Sequence, residues 1–382
     1  MELKIRLSVL LYLVCGLTAS YAQVDPSDTT PDGRTGNIIS TAVPFLQITP
    51  DARAGAMGEA GVATSPDVNA TYWNPAKLAF LTDAYGFSLS YSPWMQKLVP
   101  DINLAYLNGY YRLDDRNVLG GSLRYFSLGD IQLRDPTGYD QGTYNPNELA
   151  VDVSLARTFG ENFSLGTAVR FIYSNLGTSS GSIDQNQPAT ALAADISAYY
   201  KSDRKPVFGK EATLALGLNI SNIGTKIGYS DTSPKYFLPT NFRLGGASTF
   251  HVDEYNDFTV TLDVNKLLVP SDPNSTKSVP AGIFGSFADA DGGLSEELQE
   301  ISFAPGIEYW YNKQFALRAG YFYENPNKGN RQYLTLGAGL RYNIVNIDFS
   351  YIIANQQKSP LANTLRFSLV FNFGEAGSAI KM

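Results

Sequence analysis

Few residues in this chain have the types and spacing that catalysis needs. Gly177-Thr178-Ser179-Ser180-Gly181 matches the glycine-flanked serine of a nucleophile elbow, but that chemistry requires a strand-to-helix turn and a histidine to take the hydroxyl proton. The pentapeptide lies in a polar connection, and the single histidine, His251, ends a strand on the opposite side, where connections are short. Asp289, Asp291, Glu296 and Glu297 could hold Ca²⁺, yet they lack the Asp-x-Asp-x-Asp-Gly order of a calcium loop and read as a solvated acidic connection. There is no phosphate-binding glycine loop and no zinc-ligand cluster. The expectation is therefore no catalytic residue, no metal and no cofactor, in a chain that is not an enzyme.

A second set of charged residues is ordered by period. Extending a two-residue alternation along the chain puts Arg124, Arg170, Arg243, Arg318, Arg341 and Arg366 on one face of their strands, together with Asp152, Asp195, Asp263 and Asp348. Apolar residues occupy the other face. In LAVDVSLARTF, Leu149, Val151, Val153 and Leu155 alternate with Ala150, Asp152, Ser154 and Ala156; in TLRFSLVFNF, Leu365, Phe367, Leu369, Phe371 and Phe373 alternate with Thr364, Arg366, Ser368 and Asn372. About ten residues of such alternation is the length a tilted strand needs to cross a bilayer, apolar side to lipid and polar side to the lumen. The charged face is expected to pair internally as a ladder that holds the wall in shape, with a role in pore selectivity as the alternative.

Strand candidates fall near 84–91, 101–113, 118–128, 149–159, 163–173, 191–201, 212–223, 240–251, 257–266, 300–310, 315–323, 332–343, 345–352 and 364–373. Fourteen is an even number, as bacterial barrels require. Their connections alternate in length. Those at 114–117, 160–162, 252–256, 311–314 and near Asn343 are tight, whereas 129–148, 174–190, 224–239 and 267–299 are long, and only 202–211 is longer than its short-side neighbours. Short periplasmic turns and long extracellular loops produce this alternation, which also predicts both termini on the periplasmic side.

The rest of the chain agrees. Lys4 and Arg6 precede an apolar run from Leu7 to Leu17, and Ser20-Tyr21-Ala22 suits a signal peptidase, so residues 1–22 read as an export signal. Its loss removes Cys15, the single cysteine, and moves the net charge from -7 to -8 through Glu2, Lys4 and Arg6. That excludes disulfide chemistry, and the acidic balance argues against nucleic acid as a partner. Residues 23–83 lack the strand period: 23–36 is rich in Pro, Asp, Thr and Gly, and the remainder combines small residues with Asn74, Pro75 and Ala76, a sequence suited to packing compactly as a plug. The barrel then covers 84–373, with 374–382 as a periplasmic tail.

At this aperiodic stretch the chain resembles a known family. GEAGVA and YWNPAKLAF are similar to the amino-terminal signature of FadL-type outer-membrane proteins, and the whole run PFLQITPDARAGAMGEAGVATSPDVNATYWNPAKLAF resembles the PorV (LptO) family, the FadL-like component of type IX secretion in Bacteroidota. The resemblance is specific over residues 43–80. It implies an all-β, fourteen-stranded antiparallel transmembrane barrel with an amino-terminal plug, located in the cell outer membrane. It further implies a shuttle that takes secreted cargo from the translocon by its carboxy-terminal domain and delivers it to a surface sortase complex. A FadL-type channel for hydrophobic small molecules is the alternative, and a lipid-directed enzyme is a third class opposed by the lone histidine. On the shuttle reading, Val279, Ile283, Phe284 and Phe287 in the longest connection are the first candidates for contacting cargo. Tyr139 and Tyr144 are the next, while Asn74, Pro75 and Ala76 pack the plug.

Overall fold

A computed structural model describes residues 39–94, 101–135, 137–176, 188–229, 234–272, 275–354, 361 and 363–375. The export signal, the 23–36 stretch, the Gly177–Gly181 pentapeptide and the tail after residue 375 lie outside them. Fourteen strands make the wall: β1 (Asp83–Pro93), β2 (Asn103–Arg112), β3 (Asn117–Ser127), β4 (Asn147–Thr158), β5 (Phe163–Asn175), β6 (Ala189–Lys201), β7 (Lys210–Gly224), β8 (Asn241–His251), β9 (Asn256–Leu267), β10 (Ile301–Tyr311), β11 (Phe315–Tyr323), β12 (Gln332–Tyr342), β13 (Val345–Ala354) and β14 (Leu365–Glu375). Every strand expected from the two-residue period is present.

Each strand pairs antiparallel with its sequence neighbours, and β14 returns to β1 with Phe373 opposite Tyr85 and Leu369 opposite Leu89. The sheet is closed, so no strand has a free edge within the wall. Stacked rings mark this seam: Tyr85 on Phe373 at 5.1 Å and Phe87 on Phe371 at 4.8 Å. Aromatic residues exposed at the short-turn end include Tyr111, Phe163, Tyr200, Tyr255, Tyr311 and Tyr342, as an interfacial girdle requires. Among the described residues no helix is long and apolar enough to cross a membrane; strands do the crossing.

The short turns carry their own chemistry. Asp114 accepts from the N–H groups of Arg116 and Asn117 at 2.7 and 2.8 Å, and Asp253 accepts from those of Tyr255 and Asn256 at 2.9 Å each. Asn312, Lys313 and Asn343 take positive φ where their chains reverse. The exceptional 202–211 connection folds a further strand, Lys205–Val207, back onto Lys210–Ala212 of β7.

The long connections also have structure. The one after β3 contains a hairpin of Ile131–Arg134 with Asp140–Tyr144. The one after β9 contains two helices, Val279–Gly285 and Leu294–Gln299. Gly282 is buried against the Phe237 ring, which supports the first of these helices despite its two Gly, while Pro280 lies in the first turn, where proline is tolerated.

Candidate functional site

Residues 42–81 occupy the lumen. At the long-connection end the Ala42 N–H donates to the Phe237 carbonyl at 2.9 Å; at the short-turn end the Leu81 carbonyl accepts from Arg112. The carboxy-terminal strand end lies with the short turns, as expected, whereas the start of the described chain lies at the opposite end. The path of the amino terminus falls outside the described residues.

An irregular backbone buried in a barrel must find partners for its polar groups. The inward faces of the strands supply them. Ser368 Oγ accepts from the Ala52 N–H at 2.9 Å, Thr335 Oγ1 from Gly58 at 2.8 Å, and Asp263 Oδ2 from Gly61 and Val62 at 2.7 and 2.8 Å. Ser164 donates to the Ala76 carbonyl at 2.7 Å, and Asn219 to that of Trp73 at 3.0 Å. Backbone meets backbone at Gly217 and Gly320, where an added β carbon would collide with the Val62 carbonyl and with Met57.

Asn74, Pro75 and Ala76 are fully or almost fully buried at the centre of this packing. Asn74 Nδ2 donates to the carbonyls of Val62 and Ala198 at 3.0 Å each, and its Oδ1 accepts from Ala76 at 3.1 Å, so one side chain ties two turns of the lumen segment to β6. Pro75 opens the short helix Pro75–Phe80. Trp73 Nε1 donates to Asp51 at 2.6 Å, and the guanidinium carbons of Arg124 and Arg243 stand 4.6 and 4.9 Å from the Tyr72 ring centre.

The inward charges pair, but only partly as a wall ladder. Arg170 bridges Asp152 and Asp195, and Arg318 bridges Asp348 at 2.6 Å and Glu308 at 2.7 Å, all between strands. Arg124, Arg243 and Arg366 instead turn to the lumen segment, reaching the Leu46 carbonyl at 3.0 Å, the Tyr72 hydroxyl at 3.2 Å and Glu59 at 3.4 Å. Arg341 has inward parity, yet its place in the last turn of β12 leaves it exposed at the rim, with Asn346 at 3.1 Å. Several buried charges were not anticipated, Glu308, Arg53 and Lys77 among them. Glu308 receives both Arg53, at 2.8 Å, and Arg318; Lys77 donates to the Gly61 carbonyl at 2.7 Å. Glu308 shares strand parity with Ser302 and could have been found that way. Arg53 and Lys77 sit in sequence without period, which carries no such signal.

The two helices after β9 form a cap at the other end of the barrel. Lys266 of β9 pairs with Glu297 at 3.0 Å and with Glu300, and Lys328, from the connection after β11, pairs with Glu300 at 3.1 Å and with Glu296. Asp291 is exposed, but Glu296 and Glu297 are latched to lysines, which corrects for them the expectation of a solvated acidic connection. Their titration reflects it. The Lys328 hydrogen bond holds Glu296 below the ordinary carboxylate value. Burial pulls Lys328 down, but its bonds to Glu296 and Glu300 outweigh that and raise it. Asp289 faces Lys277 at 3.6 Å, and among the described residues no three acidic, His or Cys side chains gather as a metal site.

The six candidates for contacting cargo divide. Phe284 is 79% exposed and Phe287 52%, and Leu294 and Leu298 beside them on the cap are exposed as well. Tyr139, at the tip of the 131–144 hairpin, is 74% exposed. Val279 and Ile283 are half-buried, and Tyr144 is held by Asn175 at 2.7 Å. His251 lies at the short-turn end between Asp257 at 2.7 Å and Thr213 at 3.2 Å.

Comparison with known proteins assigns the barrel. No curated protein matches the chain. Among solved structures, the toluene transporter TodX of P. putida is similar at a TM-score of 0.52 and 14% identity, covering 85% of this chain and 99% of that one. A TodX deltaS2S3 mutant, described as a monoaromatic hydrocarbon channel, gives 0.50 and 13% over 85% and 99%. At that identity the likeness speaks for the fold alone, which is the FadL-like outer-membrane barrel. The family described as "Type IX secretion system protein PorV" matches residues 31–274, more than half of the chain, and the chain belongs to that family.

Proposed function

We propose that this barrel is a carrier of secreted proteins in type IX secretion, binding cargo by its carboxy-terminal signal domain on the cap and passing it from the translocon to the surface sortase complex. One observation carries the reading: exposed apolar groups lie in the long connections, Phe284 and Phe287 on the cap and Tyr139 in the connection after β3, while residues 42–81 are bonded to the inward faces of the strands. Exposed aromatic groups on a firm support suit protein recognition. A conduit for hydrophobic small molecules wants an apolar cavity, and the lumen instead holds ion pairs such as Arg53 with Glu308. Asn74, Pro75 and Ala76 serve packing in this account. No group is assigned a catalytic role. The short turns face the periplasm and the cap faces outside.

The test is to replace Phe284 and Phe287 with Ser and measure both barrel assembly and co-purification of proteins bearing the secretion domain. Assembly should be normal and recovery should fall by about tenfold or more, as for loss of two anchors. Undiminished recovery from a well-assembled barrel would remove the cap as the binding surface.

A further inference from the structure

The connection that breaks the short-turn pattern has no explanation within the molecule. Its strand Lys205–Val207 folds onto β7 through Val207 opposite Lys210 and Lys205 opposite Ala212, and Phe208 and Gly209 make the two-residue tip. Both tip residues have positive φ, 50° and 76°. That geometry favours Asn-Gly. A bulky aromatic in the left-handed region is strained, and Phe208 recovers nothing for it, since its side chain is 97% exposed.

The surroundings are charged. Lys201, Arg204, Lys205 and Lys210 stand against Asp203 and Glu211, in a chain whose net charge is -7. Arg204 and Glu211 form an open pair at 3.8 Å with both side chains more than half exposed. The tip also projects. Leu214 is the last exposed apolar residue of β7 at this end, and the six positions from it to Phe208 are roughly 20 Å of extended chain. That length reaches past an interfacial belt containing Tyr200, which pairs with Leu216, so the tip stands in water and not among lipid headgroups. Pro206 removes a donor from the outer edge of the added strand, which disfavours recruiting a further strand there.

We propose that the 201–211 hairpin is a docking finger for a folded protein on the short-turn side of the membrane, one presenting an apolar pocket for Phe208 rimmed by Asp and Glu. An aromatic anchor encircled by cations suits such a site. The finger is distinct from the cap and rests on the proposed function only in taking the short-turn side as periplasmic.

The experiment places benzoylphenylalanine at position 208 of the full-length protein in intact cells and irradiates them. The expected result is one discrete protein adduct, with its yield falling about tenfold when Arg204, Lys205 and Lys210 are all changed to Glu. In parallel, Phe208→Asn suits the turn better than the parent and should keep the barrel at least as stable, while co-isolation of the same protein drops about tenfold. Lipid adducts alone, a spread of adducts insensitive to charge reversal, no adduct, or co-isolation unchanged by Phe208→Asn would each overturn the proposal. Cargo recovery through the cap is scored in the same cells, so its failure and the finger's failure are read separately.

Discussion

The lumen segment and the cap both use buried ion pairs, yet they are held in different ways. The lumen segment is bonded along its length by strands from all around the wall, through Ser164, Asn219, Asp263, Thr335 and Ser368. The cap is held by one cluster of ion pairs, where Lys266 and Lys328 meet Glu296, Glu297 and Glu300, with local contacts such as Gly282 on the Phe237 ring beside it. Many bonds to many strands open only when the wall opens. A single cluster can open by itself, and sub-global opening of this kind is how binding elements change shape without unfolding their support. The difference points to a permanent filling and a movable cover.

The largest expected effect comes from breaking the filling. Glu308 joins Arg53 of the lumen segment to Arg318 of the wall, so Glu308→Ala leaves two buried guanidinium groups short of a partner. Breaking a buried pair from one side costs about 3 to 5 kcal/mol. The loss should appear as a lower unfolding temperature of the whole barrel in lipid bilayers. An unchanged temperature would mean that the lumen segment is dispensable to the wall.

A change on the lipid face calibrates that loss. Leu369→Arg should cost about 2 to 4 kcal/mol if Leu369 lies near the bilayer midplane, whereas Thr364→Ala, on the inward side, should do little. Equal stability of Leu369→Arg and the parent in bilayers would reverse the assignment of faces.

How much of this was legible follows the same division. The wall was readable because lipid on one side and a polar lumen on the other impose strict alternation, which LAVDVSLARTF obeys from Leu149 to Ala156, with Arg157 on the outward face only where the strand ends. Parity also told which charges point inward, but not what they meet: Arg124 and Arg366 serve the lumen segment, whose contacts have no period. Arg341 shows the limit of parity at a rim, where inward no longer means buried. The cap helix Val279–Gly285 was illegible because it is only seven residues long with Gly282 in its interior, which opposes a helix locally, and tertiary contact with Phe237 overrides that. The motif at Asn74 was legible as a compact, small-residue turn, and its resemblance to a family sharpened that. Its role as a bridge between Val62 and Ala198 is a matter of three dimensions.

Opening the cover should leave the filling intact. Lys266→Ala removes the cation shared by Glu297 and Glu300, leaving Lys328 to hold the cluster alone. Limited proteolysis should then cut within 275–299 at least several times faster, while the unfolding temperature of the barrel stays within a few degrees of the parent. Coincident loss of cap and barrel would show one cooperative unit and end the distinction between filling and cover.

The smallest expected effect is that of pH on the same latch, and its sign follows from its shifted groups. Among them Glu297, like Glu296, is held below its ordinary value: burial pushes it up, and bonds from the Ala290 N–H and Lys266 outweigh that. Glu296 sits below its ordinary value of 4.5 in the folded cap, so its stabilising contribution is present above that pH and is lost as pH falls further. Lys328 sits above its ordinary value of 10.5, so its contribution is complete below that pH and is lost as pH rises through the raised folded value. The cap should therefore be tightest across the wide interval between and loosen at each extreme. Because Glu296 is partly exposed, solvent screens the pair, and cleavage within 275–299 should rise by no more than about fivefold on acidification. Glu296→Gln should reduce the acid-side rise, the remainder belonging to Glu297, while leaving the alkaline side, which Glu300 still supports, in place. A cap that loosens near neutral pH would assign its closure to groups other than these.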